Sequence, residues 1–118
     1  AVVGMGHIPG RHRDVIAEMA QEMVSWEDVH TAIVFALVEG NRIEGSIRSM
    51  NPSVSVPQLA KDLGGEEGFG GGKLGKGAYA YNLGGGSISD DDDEEIKEKT
   101  WELFDTRENK RITRILKK

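Results

Sequence analysis

The chain has 118 residues, 37% hydrophobic and 30% charged, which fits one domain with a modest core. A formal net charge of −5 argues against an electrostatically driven duplex-DNA binder, and the absence of cysteine excludes disulfides, thiolate metal sites and a Cys nucleophile. No apolar run approaches the ~20 residues of a membrane-spanning helix and no signal-peptide pattern is visible, so a cytoplasmic location and no membrane partner are the default expectations.

Residues 1–13, broken by Gly4, Gly6, Pro9 and Gly10, read as a linker entering from a preceding domain, and residues 14–118 as the domain itself. The opening Ala1-Val2-Val3-Gly4 falls mid-pattern, as expected of a piece cut from something longer. Asp14 suits a helix N-cap, and Val15, Ile16, Met19, Ala20 and Met23 fall on one helical face that ends by residues 25–28. Residues 29–38 read as a buried strand and residues 42–50 as its hairpin partner across Glu39-Gly40-Asn41. Ser55 and Gln58 have capping-box spacing for a short helix ended by Gly64-Gly65.

Residues 64–86 hold most of the chain's 16 glycines. Lys, Leu, Tyr and Asn are interleaved, and residues 78–83 have strand character, so the segment reads as a shaped loop followed by a strand; a flexible linker has a similar composition. After Ser87 a helix opens with acidic residues, which suit its positive N-terminal end. Ile96, Thr100, Leu103, Phe104 and Arg107 continue its stripe, and Ile112, Ile115 and Leu116 give a final amphipathic turn. Trp26, Trp101, Phe104 and Phe35 read as core.

Two stretches could carry chemistry. In the second strand, Ser46 and Arg48 share a face. A guanidinium beside the hydroxyls of Ser46 and Ser49 suits phosphate or carboxylate; an edge-strand Arg in water or in a surface ion pair fits the same pattern. In Gly68-Phe69-Gly70-Gly71-Gly72-Lys73-Leu74-Gly75-Lys76-Gly77, bare backbone amides could converge on an anion as a concave nest, with Lys73 and Lys76 supplying charge. A mobile glycine loop is the alternative. The Walker A match fails at Gly77, where Ser or Thr should stand, and the Gly70-x-Gly72-x-x-Gly75 match lacks the strand and helix that a dinucleotide site needs. His7, His12 and His30 have no metal-ligand spacing, and the acidic run 90–95 lacks the spaced ligands of a calcium loop. Tyr79 and Tyr81 share one strand face, for packing or for stacking on a base.

The order of these elements, with Gly45-Ser46-Ile47-Arg48-Ser49, Leu63-Gly64-Gly65 and Gly70-Gly71-Gly72-Lys73, resembles the C-terminal DHH-associated domain of DHH-family phosphoesterases, over about residues 14–86. The resemblance implies an α/β (α+β) fold, a small mixed β-sheet flanked by helices. It also implies a substrate-binding role in which Arg48, supported by Ser46 and Ser49, and the amides of Gly70, Gly71 and Gly72, with Lys73 and Lys76, hold the phosphate or terminal nucleotide of an oligonucleotide, nucleotide or other phosphoester. The partner implied is a separate N-terminal DHH domain carrying Mn²⁺ or Mg²⁺; no cofactor is expected in this chain, which alone is expected to hydrolyse nothing. A second copy of the chain is a further candidate partner. Two features depart from the family: Lys73 stands where it has His, and Glu66-Glu67-Gly68-Phe69 lengthens the loop. The competing expectation is a regulatory or protein-interaction module with a glycine-rich spacer and no phosphate chemistry.

Overall fold

In the computed structural model, which describes residues 1–83, 88, 89 and 91–117, five strands and three α-helices form a mixed α+β fold. The strands are β1 (Val2–Ile8), β2 (Thr31–Val38), β3 (Arg42–Ser49), β4 (Phe69–Lys73) and β5 (Lys76–Asn82); the helices are α1 (Asp14–Met23), α2 (Val56–Gly64) and α3 (Glu94–Leu116). The end of the glycine-rich stretch (84–87), residue 90 of the acidic run and residue 118 lie outside the described residues.

The sheet order is β1-β2-β3-β5-β4, with β1 parallel to β2 and every other pair antiparallel. The apolar run of β2 places it inside the sheet, buried on both faces. Ala32, Val34, Ala36 and Val38 meet Ile16, Ala20 and Met23 of α1 on one face. Ile33, Phe35 and Leu37 meet the larger core on the other, with Leu59 and Leu63 of α2 and Phe104 and Ile112 of α3.

The expected linker carries β1. The glycines that made it look broken have separate roles: a Cβ at Gly4 would strike Asp105, Trp101 and Phe35, whereas Gly6 supplies a φ of 98° at the irregular register between Gly4 and His7. The other departures are local. Asp14 is the first helical residue, with Arg13 at the N-cap, and Val15 is 39% exposed. Ser55 is the N-cap of α2, but its side chain makes no cap hydrogen bond, so the capping box does not form. Trp26 is exposed. The last two helical segments are one 23-residue helix, capped where the Asp93 side chain accepts from the Ile96 N–H at 2.9 Å. Its buried stripe is Phe104, Glu108 and Ile112, while Ile96 and Leu103 face solvent. Among the described residues no helix is long and apolar enough to cross a membrane.

Glu108 is the centre of a polar cluster that fastens α3 to the sheet. It accepts from Tyr79 Oη at 2.7 Å and Tyr81 Oη at 2.6 Å, and pairs with Arg111 Nε at 2.8 Å; Arg111 also donates to the Leu63 carbonyl at 2.6 Å. The Tyr79 ring reaches this position by lying against β3 at Gly45, where any Cβ would collide with it. Burial first, and then the Glu108 carboxylate, push the pKa of both tyrosines above the ordinary phenol value. Unfolded phenols ionise near pH ~10, whereas the folded ones stay protonated, so the folded state holds more protons as pH rises. Stability from these groups is whole below pH ~10 and is lost as pH rises beyond it. Urea midpoints should therefore fall above pH ~10, and because the chain has only these two tyrosines, phenolate absorbance should appear with unfolding and not before it.

Candidate anion-binding site

On the α1 side, β3 presents Arg42, Glu44, Ser46 and Arg48 at alternate positions, beside the small apolar residues of β2. Helix α1 packs over β2 and β3, which leaves the same face of β5 and β4 without a covering helix among the described residues. The sheet register then decides what that open shelf carries. Arg48 is opposite Lys76, and Lys76 is opposite Lys73. Three cations therefore stand in one row across β3, β5 and β4. Neighbouring strands are ~4.8 Å apart, so the row spans roughly 10 Å.

Like charges directly opposite one another destabilise a sheet, and nothing in the row offsets this. No carboxylate pairs with Arg48, Lys73 or Lys76 among the described residues. The other end of the β3 stripe is different: Glu44 lies 3.3 Å from Arg13 and 3.1 Å from Arg42, both charge pairs without hydrogen-bond geometry. Only at the Arg48 end do the cations stand with no carboxylate paired to them among the described residues.

Arg48 is held in place. Its Nε donates to Gln21 Oε1 of α1 at 3.2 Å and its Nη1 to the Ile47 carbonyl at 2.9 Å, leaving the remaining N–H donors for a ligand. Burial lowers its pKa from the usual guanidinium value, yet a guanidinium stays charged in proteins. The row borders an open cleft of about 410 Å³ lined by Ser46, Arg48, Gly71, Gly72, Lys73, Lys76 and Ala78, with Ala17 of α1 at its edge. Every charged side chain lining it is positive.

The glycine-rich stretch is neither a shaped loop nor a spacer over residues 69–82. It is a β-hairpin whose turn is Leu74-Gly75, with a φ of 76° at Gly75 as the third position of a type II turn requires. In a paired strand, successive N–H groups point to opposite sides, so Gly70, Gly71 and Gly72 do not form the expected concave nest of amides. Gly70 lies outside the cleft lining, on the α2 side, where a Cβ would run into the Ala60 carbonyl. Ser49 also lies outside: its hydroxyl is 2.8 Å from that of Thr31 and accepts the Asn51 N–H at 3.1 Å. The structure brings together Ser46, Arg48, Gly71, Gly72, Lys73 and Lys76. Gly70→Ala should destabilise the fold by about 1–3 kcal/mol through overpacking of β4 on α2. Gly71→Ala, whose Cβ would meet nothing nearer than the Phe69 ring at 3.7 Å, should cost less than ~1 kcal/mol; urea denaturation of the two variants checks the contrast.

Sequence reading missed the Glu108 cluster; the signal available was two tyrosines on one strand face and a lone Glu on an apolar helical stripe. Tyr79 and Tyr81 are occupied there and do not serve the cleft. Among the described residues no group of three His, Cys, Asp or Glu side chains converges as metal ligands. No protein-family model matches the chain, and no curated protein matches it either.

Proposed function

We propose that this chain is the substrate-binding domain of a DHH-family phosphoesterase, holding the phosphate of a nucleotide or short oligonucleotide for hydrolysis by a separate metal-bearing domain, in a cytoplasmic setting. The observation that supports this reading is the uncompensated row Arg48–Lys76–Lys73 on an open cleft. Three like charges repel when empty and are relieved by an anion. The Arg48 fork suits two phosphate oxygens at once, while the lysines act as point charges. Lys73, in place of the family's His, adds charge to the row and suits phosphate better than base. The role is positioning and charge neutralisation, which lower a phosphoryl-transfer barrier only where the reacting groups are held together. The hairpin pairing of residues 69–82 weighs against the spacer reading. Isothermal titration with AMP at low salt tests the proposal: binding is expected, weakening steeply as salt rises, because exposed charges are screened within ~8 Å at physiological ionic strength. Absence of binding at low salt would overturn it.

A further inference from the structure

Beyond the cation row, the shelf continues along the strands. The next row on the same face is Ser46, Ala78 and Gly71, and the one after it is Glu44, Ala80 and Phe69. The middle row carries only small side chains and forms a flat floor. Phe69 stands at its far side, 64% exposed. Its ring leans back over the floor, with its tip 3.7 Å from where a Gly71 Cβ would be. The cleft at the cation row and the adjoining hollow that Phe69 lines share Ala17, Ser46 and Ala78, so the two are one groove.

From Lys73 to Phe69 is four residues along β4, roughly 13 Å at the strand rise. The leaning ring shortens that span. With its tip at Gly71, two residues of β4, roughly 7 Å of strand, remain between ring and Lys73. We infer that Phe69 is a stacking platform, on which the planar base of a bound nucleotide rests above the Ser46–Ala78–Gly71 floor while its phosphate sits on the Arg48–Lys76–Lys73 row. This inference rests on the anion-binding reading and adds a specificity-determining residue to it: the groove selects an anion that carries an aromatic ring over inorganic or sugar phosphate. An exposed aromatic ring gains apolar contact when a base stacks on it.

The test is titration calorimetry of AMP and of ribose 5-phosphate against the wild-type chain, Phe69→Ala and Phe69→Trp. Because Phe69 is exposed, both variants should keep the wild-type circular dichroism spectrum. AMP should bind the wild type about five- to 150-fold tighter than ribose 5-phosphate, the range that one base–aromatic stack supplies. Phe69→Ala should erase that preference and leave ribose 5-phosphate unchanged. Phe69→Trp should keep it, and the emission added over wild type should be quenched by AMP but not by ribose 5-phosphate. Equal binding of the two ligands by wild type, a preference that survives in Phe69→Ala, or an equal loss for both ligands would overturn the platform while the anion row stands. Failure of both ligands to bind would overturn the two readings together.

Discussion

Arg48→Ala is expected to weaken AMP binding by about ten- to 150-fold, because a hydrogen bond to a charged group contributes ~1.5–3 kcal/mol. It should be the most damaging single change in the row. Arg48 alone is anchored, by Gln21 and the Ile47 carbonyl, so its donors lose little freedom when they meet a ligand. Lys73 and Lys76 are exposed, and no side-chain hydrogen bond or ion pair holds either among the described residues. Removing either should cost about 1.5- to fivefold, the range of an exposed charge pair. Arg48→Lys should fall between, since it keeps the charge and loses the fork. Equal losses at all three positions would show that net charge alone attracts the ligand, and no loss at Arg48 would remove the site. Arg48 is at the surface end of β3, so none of these changes should shift the urea midpoint much.

Glu108→Ala should destabilise the fold by about 3–5 kcal/mol, as much as truncating a large core side chain, because it leaves a cation and two hydroxyls without their common acceptor. Glu108 is 2% exposed and lies on the buried stripe of α3, so water cannot replace the lost oxygens without opening the core. Glu108→Gln should cost less, since its amide oxygen still accepts from one tyrosine. The combined replacement Tyr79→Phe, Tyr81→Phe, Glu108→Leu and Arg111→Met should recover most of the stability, as exchange of a buried polar cluster for well-packed apolar groups commonly does. Chemical denaturation of the three proteins would decide the matter. A loss below ~1 kcal/mol for Glu108→Ala would mean that Arg111 and the tyrosines find other partners. The effect extends toward the cleft: Arg111 holds the Leu63 carbonyl at the end of α2, and α2 backs β4.

Side-chain pattern made much of this fold legible. The run at 31–38, the hairpin into β3 and the shared face of Ser46 and Arg48 all follow from periodicity. Where pattern failed, the reason was physical. In β1, Gly4 and Gly6 answer to α3 and to a register irregularity, and neither demand leaves a periodic trace. In β4, three glycines carry no side chains to alternate, so the strand is specified by its ladder to β5 and by its closeness to α2. That same blindness hid the site's main feature, because the alignment of Lys73 and Lys76 with Arg48 depends on register across two strand pairs. In α3 the stripe was placed one step off because a buried Glu breaks an apolar count. The candidate site itself was half legible: the residue types pointed to it, but Ser49 and Gly70 belong to the scaffold.

β4 has a further consequence. It is the outermost strand on its side of the sheet, short and nearly bare, and every second peptide group on it is without a ladder partner. Such a margin invites the margin of another molecule to zip onto it. Lys73, at its end, and its opposed neighbour Lys76 repel a second copy that brings the same two charges. The two lysines thus set charge at a rim that would otherwise be open to strand pairing, as edge strands commonly do.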